Sequence, residues 1–243
     1  MKSILKIAFA IASITCFYAC ELDNYDAPDA QISGRIIDPS GNLLRTEPGG
    51  SNMRIKMEEL SWATADTSIA ITPTYLNVKI DGTYTNTKIF SGQYRMTPVE
   101  GAFYPCDPEG EVITIAGSVQ QDFVVIPYLD VEWVEEPHVT PDTLVEASIR
   151  FTRNAKDGEF MPDVLNARLC ISTNQYVGNN NYFSDIISGT VSLTNAQEGQ
   201  TIVMRTSRKV KYTATDYFVR VGACCNDTYK KYNYTTIVKI HVP

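Results

Sequence analysis

Histidine and tryptophan are scarce in this 243-residue chain, with two of each. There is also no His-Glu-x-x-His, no Cys-x-x-Cys and no calcium-loop pattern. The sequence therefore offers little material for a zinc centre or a histidine-based catalytic relay, and no metal, cofactor or catalytic residue is expected. Basic charge is in short supply as well: 21 Lys and Arg face 28 Asp and Glu, a formal net charge of −7. A nucleic-acid binder needs a basic footprint for the phosphates, so duplex DNA and RNA are not expected partners. No apolar set at helical spacing persists for three turns; the best place for a short helix is around Glu58–Ala65. What is present, 44% apolar and 20% charged residues with 12 Pro and 14 Gly, excludes a disordered, collagen-like or coiled-coil chain. The length suits one large domain or two of about 100–150 residues.

The first residues form an address. Lys2 and Lys6 precede an uncharged run from Ile7 to Ala19, shorter than the roughly 20 residues of a membrane span but suited to a secretory signal. The run ends at Phe17-Tyr18-Ala19-Cys20, which resembles a bacterial lipobox. Aromatic Phe17 and Tyr18 depart from its usual pattern, and Cys16, preceded by Thr15, is the poorer candidate. The expectation is a signal peptide over 1–19 and lipidation of Cys20, against the alternative of a plain signal peptide with an incidental cysteine. Cleavage would leave a net charge of −9, because residues 1–19 carry two lysines and no acid. Several acyl chains give stable anchoring at about 0.8 kcal/mol per buried CH₂. Residues 20–29, with Glu21, Asp23, Asp26 and Asp29, read as an acidic tether.

Beyond residue 30 the apolar period is two. Ile55 and Met57 alternate with Lys56 and Glu58; Val145, Ala147, Ile149 and Phe151 with Glu146, Ser148, Arg150 and Thr152; Leu165, Ala167, Leu169 and Ile171 with Asn166, Arg168, Cys170 and Ser172. Such alternation marks strands with one face in a core and one in water. Turn pairs such as Asp81-Gly82, Asp157-Gly158 and Glu198-Gly199 punctuate them. The expectation is an all-β chain of two tandem antiparallel β-sandwiches, at 30–127 and 128–243, joined at Pro127.

The opening Gly34-Arg35-Ile36-Ile37-Asp38-Pro39-Ser40-Gly41 resembles the first hairpin of carboxypeptidase-regulatory-like, or transthyretin-like, modules, as does Gly92-Gln93-Tyr94. With Tyr25-Asp26-Ala27-Pro28, Asp81-Gly82-Thr83-Tyr84, Asn86-Thr87-Lys88-Ile89-Phe90 and Gly101-Ala102-Phe103, the chain is similar to two-domain lipoproteins of unknown function from gut Bacteroidota. The resemblance implies a transthyretin-like domain followed by an immunoglobulin-like one. It also implies outer-membrane attachment on the cell surface, and a setting beside a TonB-dependent transporter and a SusD-type lipoprotein in glycan uptake. It carries over no catalytic residue.

Sugar binding requires exposed aromatic rings with amides and carboxylates nearby. One loop supplies Tyr176, Asn180, Tyr182, Phe183 and Asp185; a second supplies Tyr229, Tyr232 and Tyr234; Trp62 is a third candidate. Tyrosines at strand ends also cover the edges of sandwich cores, so packing is the competing role. Glu135, Glu136, His138 and Asp142 cluster in a Pro-rich stretch that reads as solvated loop, and Arg205, Arg208, Lys209 and Lys211 form a basic patch. Thr143, in Asp142-Thr143-Leu144, resembles an O-glycosylation site of exported Bacteroidota proteins. Export into an oxidising compartment makes a bridge from Cys170 to Cys224 or Cys225 conceivable, with free thiols as the alternative. The leading expectation is a non-catalytic surface lipoprotein that binds polysaccharide or oligosaccharide or supports its import. The competing readings are an assembly module docked on an outer-membrane transporter and, more weakly, a glycoside-processing enzyme, which would need paired carboxylates across a cleft.

Overall fold

The computed structural model describes residues 26–50, 52–61, 68, 70–186 and 190–243; Cys20 and Trp62 lie outside them. Among the described residues the first half contains eight strands: β1 (Ala30–Ile37), β2 (Arg54–Glu59), β3 (Thr74–Asn77), β4 (Thr83–Ile89), β5 (Gly92–Val99), β6 (Glu111–Ile115), β7 (Ser118–Gln120) and β8 (Phe123–Val124). The second half contains eight more: β9 (Leu129–Val139), β10 (Val145–Arg153), β11 (Val164–Ser172), β12 (Thr190–Ser192), β13 (Ile202–Arg205), β14 (Thr215–Cys225), β15 (Tyr232–Tyr234) and β16 (Val238–Val242). Among the described residues the helical positions are a 3-10 turn at Asn195–Gln197 and Ser61. β2 runs through Glu59 and Ser61 is helical, while residues 62–65 of the stretch read as a short helix lie outside the described residues.

In the first sandwich, one sheet has the order β4-β1-β7 with β8 also on β1, and the other the order β3-β2-β5-β6. Strand β1 shows the period directly: Ala30, Ile32 and Ile36 are buried while Gln31, Ser33 and Arg35 are exposed. Ile32, Ile36, Ile55, Met57, Tyr84, Met96, Ile115 and Phe123 meet in one core. Two pairings depart from the all-antiparallel expectation, since β7 and β8 both run parallel to β1. Gly34 makes this possible: a Cβ there would lie 1.7 Å from the carbonyl oxygen of Gln121.

The second sandwich places β13-β10-β9 against β12-β11-β14-β15, with β16 continuing beside β14. That strand order is the immunoglobulin-like arrangement. Tyr217, fully buried near the start of β14, accepts a hydrogen bond from the Tyr212 N–H at 2.8 Å and donates to its carbonyl at 3.1 Å. This is the tyrosine corner of that fold class. The β11 register differs from simple alternation: a shift between Val164 and Asn166 opposite β14 leaves Val164 buried and Leu165 37% exposed. All four described cysteines, Cys106, Cys170, Cys224 and Cys225, are free thiols, so the conceivable bridge is not formed. Burial pushes Cys170, Cys224 and Cys225 up to about 12.

The outward face of β14 and β15 is buried too, because residues 44–50 of the first half cover it. Arg220 is fully buried there, donates to the Thr46 carbonyl at 2.9 Å and stacks 3.7 Å from the centre of the Tyr234 ring. Tyr234 donates to Glu47 at 3.0 Å, and buried Asn233 donates to the Ala102 carbonyl at 2.9 Å while accepting from the Leu129 N–H at 3.2 Å. Tyr104, from the first half, joins the second core edge-on to Tyr128 at 4.8 Å.

Candidate functional site

This interface leaves a trough of about 420 Å³ at its margin, lined by Pro48, Gly49, Gly50, Asn77, Lys79 and Asp81 from one side and Tyr176 from the other. Tyr176 is half exposed, and its loop is held by its own polar groups. The Asn174 side chain accepts the Tyr176 N–H at 2.9 Å, the Asn181 amide donates to the Tyr176 carbonyl at 2.8 Å, and Gly178 and Asn181 exchange two backbone hydrogen bonds. Asn180 donates to the Pro48 carbonyl, and the Asn179 N–H donates to the Tyr234 hydroxyl at 3.1 Å. Gly178 is obligatory, since a Cβ there would sit 2.6 Å from Arg220 Nη2 and 2.9 Å from Glu47 Cβ. The second sandwich thus presents a half-exposed aromatic ring, on a braced loop, to a polar wall of the first.

On that wall, Asp81 sits in the Asp81-Gly82 turn. Burial pushes its carboxyl up, but the N–H and hydroxyl of Thr83, donating at 3.0 and 2.8 Å, together hold it below the usual carboxylate range. Both bonds go to Oδ1, so Asp81 Oδ2 keeps its acceptor capacity. Exposed Asn77 and Lys79 add an amide and a cation, and Gly49 and Gly50 line the same wall without side chains. An aromatic face beside amide, ammonium and carboxylate groups is suited to a polyhydroxylated ligand.

The remaining candidates fall elsewhere. Tyr182 accepts from Arg168 Nη1 at 2.7 Å and is half buried, while Phe183 packs edge-on to Tyr217 at 6.2 Å. Asp185 is exposed beyond them. Tyr232 and Tyr234 do not form an exposed platform; they belong to β15, are buried, and pack on each other with ring centres 5.9 Å apart. Tyr229 alone of that loop remains half exposed, bordering a second groove of about 270 Å³ with Lys56, Glu100, Phe103, Tyr128 and Asp227. Tyr75, unnoticed in the sequence, is 45% exposed, with the Arg54 guanidinium 4.0 Å from its ring centre. Its position before an alternating run was its only sign. Thr143 occupies the β9–β10 turn with φ 64°, and neighbouring Asp142 is engaged by Arg205 and Thr140. A further cleft of about 390 Å³ between β5 and β8 has only buried rings, Tyr104 and Phe123.

Two adjoining family models cover the chain: the N-terminal domain of the DUF3823 proteins of unknown function matches residues 30–126, and the DUF3823 C-terminal domain, also of unknown function, matches 135–239. The chain belongs to the DUF3823 family. A DUF3823 family protein from Bacteroides uniformis has the same fold at a TM-score of 0.72 and 23% identity, over 89% of this chain and all of its own. One from Parabacteroides merdae matches at 0.63 and 22% identity, over 88% of this chain and all of its own. A candidate carbohydrate-binding protein from Bacteroides uniformis matches at 0.66 and 21% identity, again over 88% of this chain and all of its own. No curated protein sequence matches. Neither DUF3823 model describes a catalytic family.

Proposed function

We propose that this DUF3823 protein is a non-catalytic, lipid-anchored surface protein that binds carbohydrate at the Tyr176 trough. The observation that carries the reading is the half-exposed Tyr176 ring set against Asn77, Lys79 and Asp81. The similar fold of a candidate carbohydrate-binding protein supports it. One face of a pyranose stacks on the ring while its hydroxyls meet the amide, ammonium and carboxylate. Anchoring through Cys20 would hold the trough at the outer membrane, where captured glycan passes to a TonB-dependent transporter with a SusD-type partner.

Two measurements test the two halves of this reading. In affinity gels cast with a panel of soluble polysaccharides, at least one glycan is expected to retard the purified protein, and Tyr176→Ala is expected to abolish the retardation. A panel that retards nothing contradicts binding. Metabolic labelling with palmitate should mark the wild-type chain and not Cys20→Ser; equal labelling of both would contradict the anchor.

A further inference from the structure

Resting on the carbohydrate reading, we infer that the ligand is an extended polysaccharide chain that runs from the Tyr176 trough to the Tyr229 groove. Both depressions are open troughs, not enclosed cavities. A site for a mono- or disaccharide would bury most of its ligand, whereas an open trough lets a polymer enter and leave at both ends.

The two depressions lie along one strip of the first sandwich. Asn77, which lines the trough, pairs with Arg54, and Arg54 pairs on its other side with Val99, which lines the groove. At about 4.8 Å per strand, Asn77 and Val99 are about 10 Å apart. Residues directly opposite in antiparallel strands share a face. Arg54 and Lys56 alternate with buried Ile55 and Met57, so that face is the outward one. Tyr75 pairs with Lys56 on the same face, beside the Asn77–Arg54–Val99 row, and adds a half-exposed ring there. Arg54 covers Tyr75, and its guanidinium is in turn clamped by Glu100 through bonds of 2.7 and 2.6 Å. Tyr176 and Tyr229 therefore border the two ends of one outward strip that also carries Tyr75.

One further feature favours a ligand in the groove. The Tyr229 loop is fixed before any ligand arrives: Asp227 accepts the Tyr229 and Lys230 N–H groups at 3.0 Å each, and Lys231 donates to Asn52 at 3.2 Å. Fixed elements on both sandwiches lower the ordering cost of engaging a long chain at two places, and weak contacts along one ligand multiply.

The test uses the retained polysaccharide and a size-graded digest of it, titrated calorimetrically into the purified protein. Affinity is expected to rise at least about tenfold between disaccharide and long oligomer. Tyr229→Ala should remove that rise, lowering the affinity for the long oligomer at least about tenfold, and Tyr229→Phe should preserve it. Tyr176→Ala should weaken every length. If Tyr229→Ala binds the polymer as the wild type does while Tyr176→Ala fails, the extended path is wrong and the carbohydrate reading stands. If no length binds, both fall.

Discussion

Arg220 is the residue on which the interface between the sandwiches turns. It is fully buried, yet Nε and Nη2 have no hydrogen-bond partner among the described residues. Burial pushes its guanidinium below the ordinary value, against the pull of Tyr234, Cys170 and Glu47. Burial first, then the Glu47 carboxylate, pushes the Tyr234 hydroxyl well above its ordinary value, so that it stays a neutral donor. The packing volume and the Tyr234 stack hold the interface more than the charge does. Arg220→Ala should therefore cost about 3 kcal/mol in denaturant unfolding, through the cavity it opens. Arg220→Met, similar in bulk and free of desolvation cost, should fall within about 1 kcal/mol of wild type. A methionine variant as damaged as the alanine one would show that the charge itself is required.

At the scale of elements, the parallel docking of β7 and β8 on β1 depends on Gly34 and Asp122. Gly34→Ala would drive a methyl group into the Gln121 carbonyl, and a loss of about 2 kcal/mol or more is expected in chemical denaturation. Asp122 accepts from the Arg35 N–H, Nε and Nη2 at 2.9, 3.0 and 2.6 Å. The Arg35 side-chain bonds, opposed by burial and reinforced by the cation's charge, hold Asp122 below the usual carboxylate range. A carboxyl depressed in the fold contributes fully above its unfolded value of about 4, and the contribution is lost as pH falls through the folded value. Thermal melts should therefore show stability falling below about pH 4, less steeply in Asp122→Asn. Identical pH profiles for the two would remove Asp122 from the account.

The legibility of the sequence also divides by element. Strands with one wetter face, such as β2 and β10, are readable from alternation because burial follows the period. In β14 it fails: Val219 to Cys225 is buried on both faces, since the first sandwich covers what would otherwise be the outer one. That same covering turned Tyr232 and Tyr234 from apparent loop aromatics into packing. Tyr176 was readable because an Asn- and Gly-rich stretch with rings is a poor core strand. Its polar wall, 77–81, was not, because those residues look like any hairpin until the fold brings them across from Tyr176.

For the whole molecule, the site exists only because the two sandwiches meet: one supplies the ring and the other the polar groups. Sugar stacking on Tyr176 is the core of the proposed function. The most direct test is calorimetric titration of the best-retained polysaccharide into the wild-type protein and into Tyr176→Ala with an unchanged melting temperature. The account predicts measurable heat with the first and at least about a tenfold loss of affinity with the second. Equal affinity in both proteins would contradict it.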